Sequence, residues 1–166
     1  MKVKQLYKIN TIRMSKKHGF TLIELLLVIG IIAILAVAVF VALDPAKRFA
    51  DARDARRVSD VETILSALHQ YVIDNKGAFP GNLSTDTEQV LGTASSGCAN
   101  SIMRCSASAD DCIDLTNELS KYLKTIPYDP QSGSSENTLY SIVKNSDGIV
   151  TVKACNAEGG EISASR

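Results

Sequence analysis

Gly19-Phe20-Thr21-Leu22-Ile23-Glu24 opens a run that stays apolar to Leu43, LLLVIGIIAILAVAVFVAL. From Phe20 to Leu43 there are 24 residues, and only Thr21, Glu24 and Gly30 interrupt the hydrophobes. As a helix the run spans about 36 Å at ~1.5 Å per residue. That exceeds the roughly 30 Å hydrocarbon thickness of a bilayer. A core helix in a soluble domain rarely stays apolar all round for six turns, so the run reads as a membrane-crossing segment.

Outward from it, residues 1–19 hold Lys2, Lys4, Lys8, Arg13, Lys16 and Lys17 and no acid, a charge of +6. The rest of the 166-residue chain carries −6, so the formal zero of the whole hides a split. A basic head before an apolar run is the layout of a targeting segment. The positive-inside rule then places the N-terminus in the cytoplasm, with Asp44 and Pro45 across the membrane. With 5% aromatics and no Trp, a stacking surface for single-stranded nucleic acid is not expected. An acidic remainder gives no field to attract DNA, and no specific nucleic-acid partner is predicted.

Three fates are open to the apolar segment: a permanent anchor, an ordinary signal sequence, or a cut ahead of the run. Ala36-Val37-Ala38 has the small-x-small form of a signal-peptidase site. It would make the chain a secreted or membrane-anchored binding module, with a secreted form starting at Val39. Against this stands Glu24. A lone carboxylate in a spanning helix costs about 2.5–3.5 kcal/mol on insertion scales, and an intramembrane acid is by default functional.

Lys16-Lys17-His18-Gly19-Phe20-Thr21-Leu22-Ile23-Glu24 resembles the prepilin motif of type IV pilins and type II secretion pseudopilins, position by position. The resemblance implies cleavage between Gly19 and Phe20 by a membrane prepilin peptidase, which N-methylates Phe20. It implies a leader of residues 1–19, or a shorter one if Met14 is the start. Glu24 lies four residues after Phe20, one helical turn on. In a helix bundle it can pair with the α-amine of a neighbouring subunit. An unpaired Glu24 is costly to desolvate, so the pairing sets axial register.

Beyond Pro45, the apolar residues Val58, Val61, Ile64, Leu65, Leu68 and Val72 recur at helical spacing. They predict a continuation to about Lys76, with Ala52–Arg57 as a charged exposed stretch and Gly77 as the stop. Residues 77–111 are rich in Gly, Ser, Thr and Asn and read as a long loop, with a short helix near Thr87–Leu91. Cys112–Lys124 reads as a short amphipathic helix. Thr138–Lys144 and Ile149–Cys155 read as a hairpin about the turn Asn145–Gly148.

This ending resembles the major pseudopilin more loosely: a leucine-rich short helix, Leu123…Pro127-Tyr128-Asp129-Pro130, Tyr140 in a strand, then a terminal hairpin. That subgroup carries calcium near its last strands, which makes Asp129, Glu136 and Asp147 candidate oxygen ligands. Their spacing fits no standard calcium loop, and solvated turn acids are commoner. No other cofactor is expected.

Cys98, Cys105, Cys112 and Cys155 allow three disulfide connectivities. Outside the cytoplasmic membrane they are expected to be oxidised. Cys98–Cys105 and Cys112–Cys155 is the pairing we expect. Zinc is disfavoured: there is no Cys-x-x-Cys pair, and the only histidines are His18 and His69. His69 reads as a surface or partly packed residue. There is no nucleophile beside a base, no phosphate loop and no HExxH pair, so the chain is not read as an enzyme.

The expectation is an α+β, pilin-like fold. A leader (1–19) precedes a transmembrane and filament-core helix (20–43), an amphipathic continuation (44–76) and an extracytoplasmic globular region (77–166). The long helix packs on a short helix and a small antiparallel sheet. The expected partners are copies of itself and related pilins, the prepilin peptidase, an inner-membrane assembly platform and the membrane. The expected role is a subunit of a type IV pilus or a type II secretion pseudopilus, in the inner membrane and then in an extracytoplasmic filament.

Overall fold

The computed structural model describes residues 19–81, 83–98, 104–107 and 112–166. Met14, Lys16, Lys17, His18 and all of the expected leader but Gly19 lie outside them. The chain forms two units, 19–43 as far as described and 44–166.

The first unit is one helix, α1 (Leu22–Leu43), with no buried residue in its 22. The second begins at Asp44, which takes a left-handed backbone conformation (φ 39°). Asp tolerates that region better than most residues. The Asp44 carboxylate accepts the Lys47 N–H at 3.4 Å, and Pro45 fills the first helical position of α2 (Pro45–Asp74). Pro45 thus heads a helix, where its missing N–H costs nothing, and breaks no turn inside one. At the far end Lys76 (φ 55°) and Gly77 (φ 92°) turn left-handed, and the Gly77 N–H closes on the Val72 carbonyl at 2.8 Å. The expected stop is therefore at Gly77, with the last helical residue two places before Lys76.

Four strands among the described residues form one antiparallel sheet, in sequence order: β1 (Gln89–Val90), β2 (Tyr140–Lys144), β3 (Val150–Ala154) and β4 (Ser163–Ser165). The β2–β3 hairpin pairs Tyr140 with Ala154 and Lys144 with Val150. Its turn is closed by Asn145, whose side-chain oxygen takes the Ile149 N–H at 2.8 Å, with Gly148 at φ 85°. This is the hairpin read from the sequence.

Other local expectations are corrected. The short helix near Thr87–Leu91 is strand β1, paired to β2 through Gln89 and Val90. The helix expected over Cys112–Lys124 shrinks to α3 (Thr116–Leu119). Asp114 starts it by accepting the Thr116 N–H, and Ile113, Leu115 and Leu119 are buried as their pattern implied. β4, unforeseen, is Ser-Ala-Ser and is held on β3 by backbone bonds.

The core lies between one face of α2 and the sheet. Val61, Ile64, Leu65 and Leu68 meet Tyr140, Ile142, Val150 and Val152, with Leu115 and Leu119 alongside. Val58 stands outside this stripe at 44% exposed, and Arg57 is buried in its place.

Candidate functional site

Two groupings carry the chemistry, one in each unit. At the head of α1, Thr21 and Glu24 cap the helix reciprocally. The Glu24 carboxylate accepts the Thr21 N–H at 2.8 Å and its hydroxyl at 2.9 Å, and the Glu24 N–H reaches the Thr21 oxygen at 3.3 Å. This is a capping box, Thr-x-x-Glu. Its signal stands in the sequence, Thr21 and Glu24 three residues apart at the start of the apolar run. Gly19 and Phe20 lie just ahead of the helix, and Phe20 is 90% exposed. The Gly19–Phe20 junction is thus accessible in the single chain, and Glu24 satisfies the first helical turn.

In the second unit, a cluster of charges sits on the N-terminal half of α2. Arg57 is fully buried. Its Nε donates to Asp129 at 2.6 Å, and its Nη1 donates to Asp54 and Glu158 at 2.8 Å each. Arg53 makes a two-pronged contact with Glu158, both bonds 2.6 Å. Asp54 in turn accepts the N–H groups of Glu158 (3.0 Å) and Gly159 (2.6 Å). Asp129 also accepts the N–H groups of Gln131 and Ser132. Nη2 of Arg57 has no hydrogen-bond partner among the described residues.

The sequence reading of Ala52–Arg57 as an exposed charged stretch is therefore wrong for Arg57. The available signal was helical phase. Four-residue steps back from Val61 land on Arg57 and then Arg53. A cation on a core face calls for buried carboxylates. Burial works against the Arg57 charge, but bonds from Asp129, Glu158 and Asp54 outweigh it and hold its pKa above the usual range. Bonds from Arg53 and then Arg57 bring Glu158 down to about 2. Burial pushes the pKa of Asp129 up, yet Arg57 and the turn N–H groups leave it lowered. Burial likewise opposes the Asp54 charge, and the N–H groups of Glu158 and Gly159 with Arg57 leave its pKa lowered too.

The calcium candidates are not brought together. Asp129 is committed to Arg57, while Glu136 and Asp147 are exposed in separate loops. Among the described residues no group of three or more His, Cys, Asp or Glu side chains is placed to hold a metal. His69 is half-buried, with Nδ1 2.8 Å from the Leu65 carbonyl in its own helix.

All four cysteines are bridged, but the expected pairing is overturned: the bonds are Cys98–Cys112 and Cys105–Cys155. The reason is the backbone. The Cys112 N–H donates to the Ala94 carbonyl, which brings it beside Cys98. The Arg104 N–H donates to the Cys155 carbonyl, which sets Cys105 at the end of β3.

Residues 14–40 match the family model of the prokaryotic N-terminal methylation motif. No curated protein and no solved structure matches the chain. The matched stretch runs from ahead of Gly19 into the apolar helix α1, which fits anchoring in the inner membrane and points to a structural subunit. That motif, with the long helical segment and small antiparallel sheet behind it, supports a type IV pilin-like precursor.

Proposed function

We propose that the chain is a structural subunit of a type IV pilus or a type II secretion pseudopilus. The observation that carries this reading is α1, an apolar helix of 22 residues with no buried side chain and one carboxylate at its head. Such a surface is covered in turn by lipid and by the α1 helices of other subunits. A prepilin peptidase cuts between Gly19 and Phe20 on the cytoplasmic side and methylates Phe20. The cut leaves the whole helix on the mature subunit, which stays anchored until an inner-membrane platform extracts it.

Cleavage also creates a cation, the α-amine of Phe20. Glu24 of one subunit pairs with that amine on its neighbour as the helices pack. Away from water an unpaired carboxylate is expensive, so only the staggered register that joins the two charges is stable. The body from Asp44 onward coats the filament. The loose C-terminal likeness favours a pseudopilus, while two disulfides suit a surface-exposed pilus.

The test is Glu24→Ala in the native host. The subunit should still insert and be cleaved, while filaments are lost. Filaments of normal number and length would remove Glu24 from assembly.

A further inference from the structure

The segment Cys155–Gly159 lies over α2 and is held from two sides. On the α2 side, Ala157 is buried, Glu158 binds Arg53 and Arg57, and Asp54 takes the N–H groups of Glu158 and Gly159. On the other side, Arg104 donates from its backbone to the Cys155 carbonyl (3.0 Å) and from Nε to the Ala157 carbonyl (2.6 Å). The covalent tie on this side is Cys105–Cys155, which joins residues 50 apart in sequence. Two residues, Asn156 and Ala157, separate the disulfide at Cys155 from the charged contact at Glu158, so the bridge sits at the root of the clasp on α2. Cys155 is buried, whereas Cys105 is half-buried and Arg104 exposed.

We propose that residues 155–159 form a redox-set strap, closed on α2 when Cys105 and Cys155 are bridged and released when they are reduced. In closing, the two thiols give up two protons and two electrons and form one S–S bond. The electrons pass to an external disulfide donor of the thiol oxidoreductase class, which leaves as a dithiol. In opening, an external dithiol reverses the step. Without the bridge, residues 104–105 rest on the strap, among the described residues, through hydrogen bonds from an exposed Arg, which hold weakly against chain entropy. The strap then reaches α2 from β3 with one restraint fewer. The disulfide therefore tells the body of the subunit that it has reached an oxidising compartment. This inference is independent of whether the chain forms a filament.

The second bridge supplies the control, because Cys98 and Cys112 lie in a separate small cluster with Val90, Ala94 and Ala107. Amide hydrogen exchange is read by mass spectrometry on the full chain in detergent micelles, for the wild type, C105S/C155S and C98S/C112S. The amides of Glu158 and Gly159 are expected to exchange about tenfold faster or more in C105S/C155S. Those of β2 and β3 should keep their protection, and C98S/C112S should match the wild type at the strap. Unchanged exchange at Glu158 and Gly159 overturns the proposal. So does loss of protection across β2 and β3 together, which would make the bridge a global staple. An equal effect in C98S/C112S overturns it too. Should C105S/C155S fail to accumulate, graded reduction of the wild-type chain with dithiothreitol reads the same amides against the same outcomes.

Discussion

The helices α1 and α2 meet opposite fates with related means. In α1 every residue is exposed, although nearly all are apolar. In α2 six residues are buried, and one of them is an arginine. Hydrophobicity thus marks what must be covered, whereas burial within the chain marks what the chain itself can cover. The α2 face is satisfied by its own sheet and carboxylates. The α1 face is covered by nothing among the described residues of its own unit, and on the proposed function its partners are the bilayer and other subunits.

The sharpest way to break this contrast is to remove the buried cation. Arg57→Ala leaves Asp129, Asp54 and part of Glu158 facing a void, and breaking a buried pair in this way costs about 3–5 kcal/mol. Urea unfolding in detergent, followed by near-ultraviolet circular dichroism, reads it, since Tyr71, Tyr122, Tyr128 and Tyr140 all lie in the body. Next comes the apolar part of the same face. Leu68→Ala in the core should cost about 2–5 kcal/mol.

Acid sharpens the comparison from another side. The folded pKa of Glu158 is about 2, below the roughly 4.3 of an unfolded glutamate. A depressed carboxylate stabilises fully above its unfolded pKa, and that stability is lost as pH falls toward the folded value. Asp54 and Asp129 are shifted the same way. The melting temperature of the body should hold from neutral down to about pH 5 and fall below it. In Glu158→Gln the acid limb should be shallower.

Smaller effects follow. Asp44→Ala removes the N-cap of α2, and with a contact of 3.4 Å the loss should lie near the low end of the capping range, about 0.5 kcal/mol. Leu35→Ala in α1 should leave the unfolding of the body unchanged within about 0.5 kcal/mol. A large effect there would mean that α1 does have a partner within its own chain.

The legible parts were those written as local pattern. The apolar run announced α1, the alternation around Asn145–Gly148 announced the hairpin, and the Val61–Leu68 stripe announced the core face of α2. What stayed hidden depends on partners far along the chain. Arg57 meets Asp129 and Glu158, 72 and 101 residues away, and no local rule selects them. The disulfide pairing failed for a similar cause: short-loop closure favours Cys98–Cys105, but backbone bonds at Ala94 and Cys155 decide which thiols meet. β4 carries no apolar signature, because Ser163-Ala164-Ser165 is held on β3 through its backbone. At the head of α1, the Thr21–Glu24 box is legible as a local pattern, Thr and Glu three residues apart ahead of an apolar run.

The most direct measurement is the mature N-terminus, by mass spectrometry of protein from the native host. A chain beginning at N-methylated Phe20 is the predicted result. It would show that the cut precedes α1 and leaves both the apolar helix and Glu24 on the working protein. A chain beginning at Val39 would contradict the central claim: most of α1 and all of its head would be gone, and a secreted, disulfide-stapled binding domain would stand in place of a filament subunit.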